Sequence, residues 1–217
     1  MGGSILENCI VEYGGVGYST AGAIQTASAS PLVKECTVRN NSGSGIWGLG
    51  TAEKPFTIMN NLVFDNGWTD TINIGAGIEV EHALLVGNNV YNNRGISGGG
   101  ISAGGSTIVN NRVWGNSATS FFQSGGGIWS GDSQVSGNEV YDNQGGGIFA
   151  ISSNVDENLV FDNVGRGIEG VWSTISNNQV AKNVGGGISI YGEGSIVERN
   201  VVVNNTAILD GGGGIHC

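Results

Sequence analysis

The chain has 217 residues, of which 41 are Gly, 25 are Asn and only 2 are Pro; this excludes collagen and Pro-rich linkers and leaves a single domain, 1–217, able to bury a core. Charged residues make up 12% and the formal net charge is −10, which argues against nucleic acid as a partner and leaves a cationic ligand, Ca²⁺ or a neutral polymer open. No run of about 18 apolar residues is present to insert in a membrane, and Met1 to Ser4 lack the basic start and apolar stretch of a signal peptide.

From the N-terminus onward one pattern recurs: apolar-x-x-Asn-x-apolar-x-x-Asn, a variable loop, then a Gly-rich segment ending in Ile. Nine copies can be placed. The first Asn falls at Asn8, Asn61, Asn88, Asn111, Asn138, Asn158, Asn178 and Asn200, with Cys36 in the second copy. The second falls at Asn41, Asn66, Asn93, Asn116, Asn143, Asn163, Asn183 and Asn205, with Tyr13 in that slot of the first copy. The isoleucine is present in every copy, from Ile24 and Ile46 to Ile188 and Ile215.

A copy of this length cannot bury its own apolar residues, so it must stack on its neighbours. Three apolar anchors per copy, such as Val135, Val140 and Ile148, predict three short strands per coil, and hence an all-β parallel solenoid of about nine coils with aliphatic ladders inside. Asn at the corners accepts the left-handed backbone conformation and carries an amide that can bond from coil to coil. Gly before each Ile predicts a bend where a Cβ would collide with the next coil. Both ends read as the middle of a coil, which predicts a piece of a longer protein or end-to-end self-association.

Each residue after the Ile then faces outward, giving the row Gln25, Trp47, Glu79, Ser102, Trp129, Phe149, Glu169, Ser189 and His216. Taken in chain order, Trp47, Trp129 and Phe149 are candidates to bind sugar faces, or are covered by long loops, with Phe121 and Phe122 as lids. Glu79 and Glu81 lie roughly 6–7 Å apart on one strand face, with His82 adjacent. They are catalytic candidates, a Ca²⁺ site, or a solvated acidic edge. Arg166 interrupts a Gly triplet and could neutralise a uronate carboxylate or mark a permissive bend, and Glu169 sits about four coils, or 19 Å, from Glu79. Asp65, Asp142 and Asp162 precede the second Asn, which reads as turn chemistry. Cys9, Cys36 and Cys217 have no metal-ligand spacing and read as incidental thiols, a disulfide or an intermolecular link.

The repeat resembles the right-handed parallel β-helix of the pectin-lyase-like superfamily across essentially the whole chain. A lesser resemblance, of Gly-Gly-Gly-Ile and Val-x-x-Asn to Gly-Gly-Ala-Ile and Phe-x-x-Asn, is to the passenger repeats of polymorphic outer-membrane autotransporters. The first resemblance implies a right-handed solenoid with Asn ladders, and either a structural, adhesive or carbohydrate-binding surface at the cell exterior or a polysaccharide lyase, glycoside hydrolase or uronate epimerase. Lyase-like catalysis calls for a basic residue beside an Asp cluster holding Ca²⁺, and hydrolase-like catalysis for several Asp on neighbouring strands. Neither constellation is visible, and the reading favours a non-catalytic extracellular segment acting as a stalk, an adhesive passenger or a carbohydrate-binding surface, with a polysaccharide or cell-surface glycan open as a partner.

Overall fold

A computed structural model describes residues 4–14, 22–27, 29–67, 77–119, 125–207 and 212–217. Phe121, Phe122 and most of the long-loop residues lie outside the described residues. Among the described residues the strands form three parallel sheets of nine strands each, about eight full turns from first rung to last, and Arg94–Gly95 pairs with Ser117–Ala118 in a further two-stranded parallel sheet.

The sixth coil shows the plan: Gln134–Ser136 lies in the first sheet, Glu139–Tyr141 in the second, Ile148–Ile151 in the third. Every strand pairs in register with its equivalent one coil away, so Val135 lies on Ile108 and Val155, Val140 on Val113 and Val160, Ile148 on Ile128 and Ile168. All nine isoleucines of the repeat fall in one column. From Ile46 to Ile188 that column is fully buried, so three aliphatic columns hold the solenoid together by excluding water.

Corners divide their work between two residues, which corrects the expectation that the ladder Asn itself takes the left-handed conformation. The residue before it does: Asn60, Asp65, Asn92, Asp142 and Asp162 have φ between 53° and 54°. That residue turns its side chain outward, so charged types are tolerated there and the Asp residues are indeed turn chemistry. The ladder Asn turns inward and is buried, as at Asn143 and Asn163. Its Oδ1 accepts the backbone N–H and the Nδ2–H of the preceding coil's Asn, at 3.0 Å each for Asn143 on Asn163.

The same register shifts the first copy by one. Thr37 N–H donates to Cys9 O (2.8 Å) as Leu62 N–H donates to Cys36 O, and Gly14 N–H donates to Asn41 Oδ1 (2.8 Å). Cys9 and Gly14 therefore occupy the ladder slots, and Asn8 and Tyr13 are the left-handed residues before them, with φ of 55° and 57°.

At the third corner a serine ladder replaces asparagine. Ser106, Ser133, Ser153 and Ser173 are buried; each hydroxyl accepts the backbone N–H of the coil before, as Ser133 N–H to Ser153 Oγ (3.1 Å), and donates to the carbonyl two residues back, as Ser153 Oγ to Ile151 O (2.8 Å). The shorter side chain suffices because the hydroxyl needs only one acceptor and one donor bond.

On the outer face of the second sheet five rings stack along the axis: Phe64, Tyr91, Trp114, Tyr141 and Phe161, with centroids 4.7, 4.4, 5.9 and 4.9 Å apart and planes within 13° of parallel. Arg112 lies 5.1 Å from the centroids of both Trp114 and Tyr141 and pairs with Glu139 at 3.0 Å. Burial, with the Asp65 charge next, raises the Tyr91 phenol pKa, and burial raises that of Tyr141 against the opposing pull of Arg112. Raised folded-state values favour the protonated stack. Its stability contribution is intact below the unfolded phenol value of about 10 and is lost as pH climbs through the folded values. Trp114→Ala removes two stacking partners and is expected to cost about 1–3 kcal/mol, read by urea unfolding together with loss of near-ultraviolet circular dichroism; full retention of both would show that the stack contributes no energy.

Candidate functional site

The third sheet supplies the outward row expected from the sequence. Gln25, Trp47, Glu79, Ser102, Trp129, Phe149, Glu169, Ser189 and His216 are consecutive neighbours along it. A second outward row, two residues on, runs Leu49, Glu81, Gly104, Gly131, Ile151, Val171, Tyr191.

Alternation alone does not make the row accessible. Phe149 is 1% exposed, with Ser102 and Ser189 also buried. The Gly-rich segment before each Ile folds across the strand start: a Cβ on Gly98 would lie 3.0 Å from Ser102 Cβ, and one on Gly125 would lie 3.0 Å from Phe149 N. Phe149 therefore offers no ring face to a ligand. Trp47 and Trp129 remain half-buried.

Around Trp129 the second row is nearly bare. Gly131 stands two residues along the same strand, and a Cβ there would sit 3.2 Å from Trp129 Cη2 and 3.5 Å from Cζ3, so the indole lies across Gly131. Gly104, its neighbour, is covered by the Glu81 side chain, whose Cγ would stand 3.6 Å from a Cβ at that position. The two neighbouring glycines thus carry the exposed Glu81 side chain and the Trp129 indole, whose own strands lie two coils apart, on a shallow floor.

Glu79 and Glu81 share the outward face, since Val80 between them and Ile78 before them are buried. Glu79 Oε2 accepts the Ser44 hydroxyl at 3.1 Å. His82 does not lie on that strand face. It occupies the left-handed corner position, φ 50°, and its ring lies over the Gly105 position, where a Cβ would be 2.7 Å from Nδ1. Among the described residues no three His, Cys, Asp or Glu groups converge as metal ligands.

Arg166 and Glu169 form an ion pair at 2.8 Å, and Arg166 also lies 5.7 Å from the Tyr191 ring centroid. Burial lowers the Arg166 pKa, and the Glu169 hydrogen bond and charge overcome that and raise it, so the guanidinium stays charged and already neutralised. Tyr191 meets His216 edge-on at 6.1 Å. Trp172, 61% exposed, takes a left-handed corner with φ 51°. The structure thus separates two clusters on one sheet, Glu79–Glu81–Trp129 and Arg166–Glu169–Tyr191. Sequence reasoning missed Tyr191 and Trp172; the signal available was that Tyr191 is the one aromatic in its row and that Trp172 breaks the small or polar character of its slot, held elsewhere by His82, Gly105, Asp132 and Ser152.

Residues 73–173 match the family model described as a right handed beta helix region, in agreement with the parallel solenoid and with a pectin-lyase-like repeat. No curated protein and no solved structure matches the chain.

Proposed function

We propose that this right-handed β-helix is a non-catalytic surface for a neutral glycan, working outside the cell or on its exterior, with the third sheet as its binding face. The observation that carries the reading is the Trp129 indole lying across Gly131, with the exposed Glu81 side chain on Gly104 in the adjacent coil. A flat ring on a bare strip of sheet suits the apolar face of a sugar, and a carboxylate beside it can accept hydroxyl hydrogen bonds.

Charge selects among glycans. The floor carries Glu79 and Glu81, and the guanidinium of Arg166, further along the sheet, is held by Glu169; on a chain of net charge −10, a polyuronate meets repulsion. Neutral or amino sugars meet none. This sets aside the uronate role considered for Arg166, and it disfavours Ca²⁺ as a bridge because the donors do not converge.

Isothermal titration of neutral oligosaccharides and of oligogalacturonate, after an array screen, tests the assignment. Trp129→Ala is expected to weaken neutral-glycan binding at least about tenfold, and Gly131→Val, which pushes the indole off its seat, by a comparable factor. Preference for oligogalacturonate, or binding untouched by Trp129→Ala, would overturn the reading. Glu79 and Glu81 on one face are the specific observation favouring a hydrolase or lyase, and turnover of a polysaccharide lost in Glu79→Gln or Glu81→Gln would establish that alternative.

A further inference from the structure

The first-corner ladder changes chemistry between its first two rungs. From Cys36 to Asn200 each rung is linked to the next by an amide Oδ1 that accepts from the coil before, as in Cys36 N–H to Asn61 Oδ1 (2.9 Å) and Asn61 N–H to Asn88 Oδ1 (3.0 Å). The joint between Cys9 and Cys36 has no amide. At that joint the thiols stand where the Asn side chains stand elsewhere: Cys36 Sγ donates to Lys34 O (3.2 Å) and lies 3.7 Å from Leu6 O, the atoms equivalent to those Asn61 Nδ2 faces in reaching Val33 O. Cys9 Sγ donates to Glu7 O at 3.3 Å, the same local bond one coil down.

Consecutive Asn side chains on this ladder touch, with Nδ2 to Oδ1 of 3.0 Å for Asn61 on Asn88. A Cys side chain is one atom shorter than Asn, and the two thiols in these slots still come within hydrogen-bonding reach of each other. The Cα atoms of in-register neighbours are about 4.8 Å apart, inside the range a disulfide spans, about 4.4–6.8 Å. Both thiols are free in the structure.

We propose that Cys9 and Cys36 are a disulfide site, closed in an oxidising compartment, that replaces the missing amide rung and ties the first coil covalently to the second. The coil needs such a tie: Ile5 and Ile10 are 61% and 67% exposed, and at the second corner Gly14 has no side chain for the ladder and joins the next coil through its backbone N–H and carbonyl only. The oxidant is a small-molecule disulfide. The thiolate of half-buried Cys9 attacks it, one small thiol leaves, and a mixed disulfide forms on Cys9. The Cys36 thiolate then attacks the Cys9 sulfur and expels the second small thiol. Two protein S–H protons and two electrons pass to the oxidant, which ends as two thiols. Burial pushes the Cys36 thiol pKa up, so the thiolate that drives the second step becomes more abundant as pH rises.

The test uses the full chain with Cys217→Ser, which removes the exposed thiol as a route to dimers. It is incubated with glutathione disulfide, denatured, alkylated and weighed, with a peptide map. The expected product has lost two hydrogens, carries no alkyl group and yields a Cys9–Cys36 linked peptide, with a formation rate that rises with pH. Adding Cys36→Ser should trap a glutathione adduct on Cys9, because nothing resolves it. A lasting adduct on Cys9 in the chain that retains Cys36, or two thiols still alkylated after denaturation, would overturn the proposal.

Discussion

Replacing Asn158 by Leu should lower the unfolding free energy by about 3–6 kcal/mol, because one side chain serves three coils at once. Asn158 Oδ1 accepts the Asn138 N–H and Nδ2–H, both at 2.9 Å. Its own Nδ2 donates to Val135 O in the coil before (2.9 Å) and to Asn178 Oδ1 in the coil after (3.0 Å). Asn138, Asn158 and Asn178 are all buried, so water cannot replace what is lost. Leu strands the Asn138 backbone N–H and takes the amide donor from the Val135 carbonyl, each costing about 1–3 kcal/mol when buried unpaired, while the Asn138 amide keeps Ile108 O and Ser136 O. Asn154→Leu is the contrast. Asn154 bonds only to Gln134 Oε1 through its side chain, on the exposed outer face, and a change within about 0.5 kcal/mol is expected there. Equal effects at 154 and 158 would show that the ladder is ornament.

Asn158→Asp adds a pH dependence to the same test. The carboxyl keeps the acceptor for Asn138 but, when ionised, turns a lone pair on Val135 O. Burial raises its folded-state pKa above the unfolded value of about 3.9. The variant is therefore most stable below that unfolded value and loses stability as pH rises through the folded one. Equilibrium denaturation at several pH values reads the slope directly.

Much of this fold is legible because a solenoid repeats its physics. Three anchors per copy give three sheets, and the isoleucine column follows from nine identical placements. The off-by-one reading of the first copy arose because Asn8 and Tyr13 sit in the slots before the ladder, where Asn is also common. Asn60 and Asn61 are adjacent, and residue type alone cannot say which of two neighbouring Asn turns in and which turns left-handed. The aromatic stack was visible as an aromatic after the second-strand Val in five successive copies, such as Tyr91 after Val90 and Trp114 after Val113. Reading only the strand after Ile for function passed over it. The candidate site was legible as a row and not as a surface, because strand alternation does not reveal that the Gly-rich segments fold across Phe149 and Ser102.

Gly147→Ala should destabilise the solenoid by about 3 kcal/mol. The reason is room, since Gly147 does not have a left-handed backbone. A Cβ there would lie 2.5 Å from Gly167 O in the next coil, 2.6 Å from Val160 Cγ1 and 3.1 Å from Asn163 Nδ2. The same trio surrounds Gly127, whose added Cβ would meet Gly147 O at 2.7 Å, Val140 Cγ1 at 2.6 Å and Asn143 Nδ2 at 3.0 Å. The methyl must therefore lift one coil off the next, stretching the third-sheet ladder at Ile148 N–H to Gly167 O, now 2.9 Å, and loosening the Asn163 rung beside it. Because coils unfold with their neighbours, that separation is felt along the stack. Gly214 occupies the same motif slot before Ile215 and has nothing within 4 Å of an added Cβ. Gly214→Ala meets no clash and restricts the unfolded chain, so a gain of about 0.4–1 kcal/mol is expected there. Opposite signs at two chemically identical substitutions, read by thermal and urea unfolding, would locate the requirement for glycine in the contact between coils; a loss at both would place it in the backbone of the motif itself.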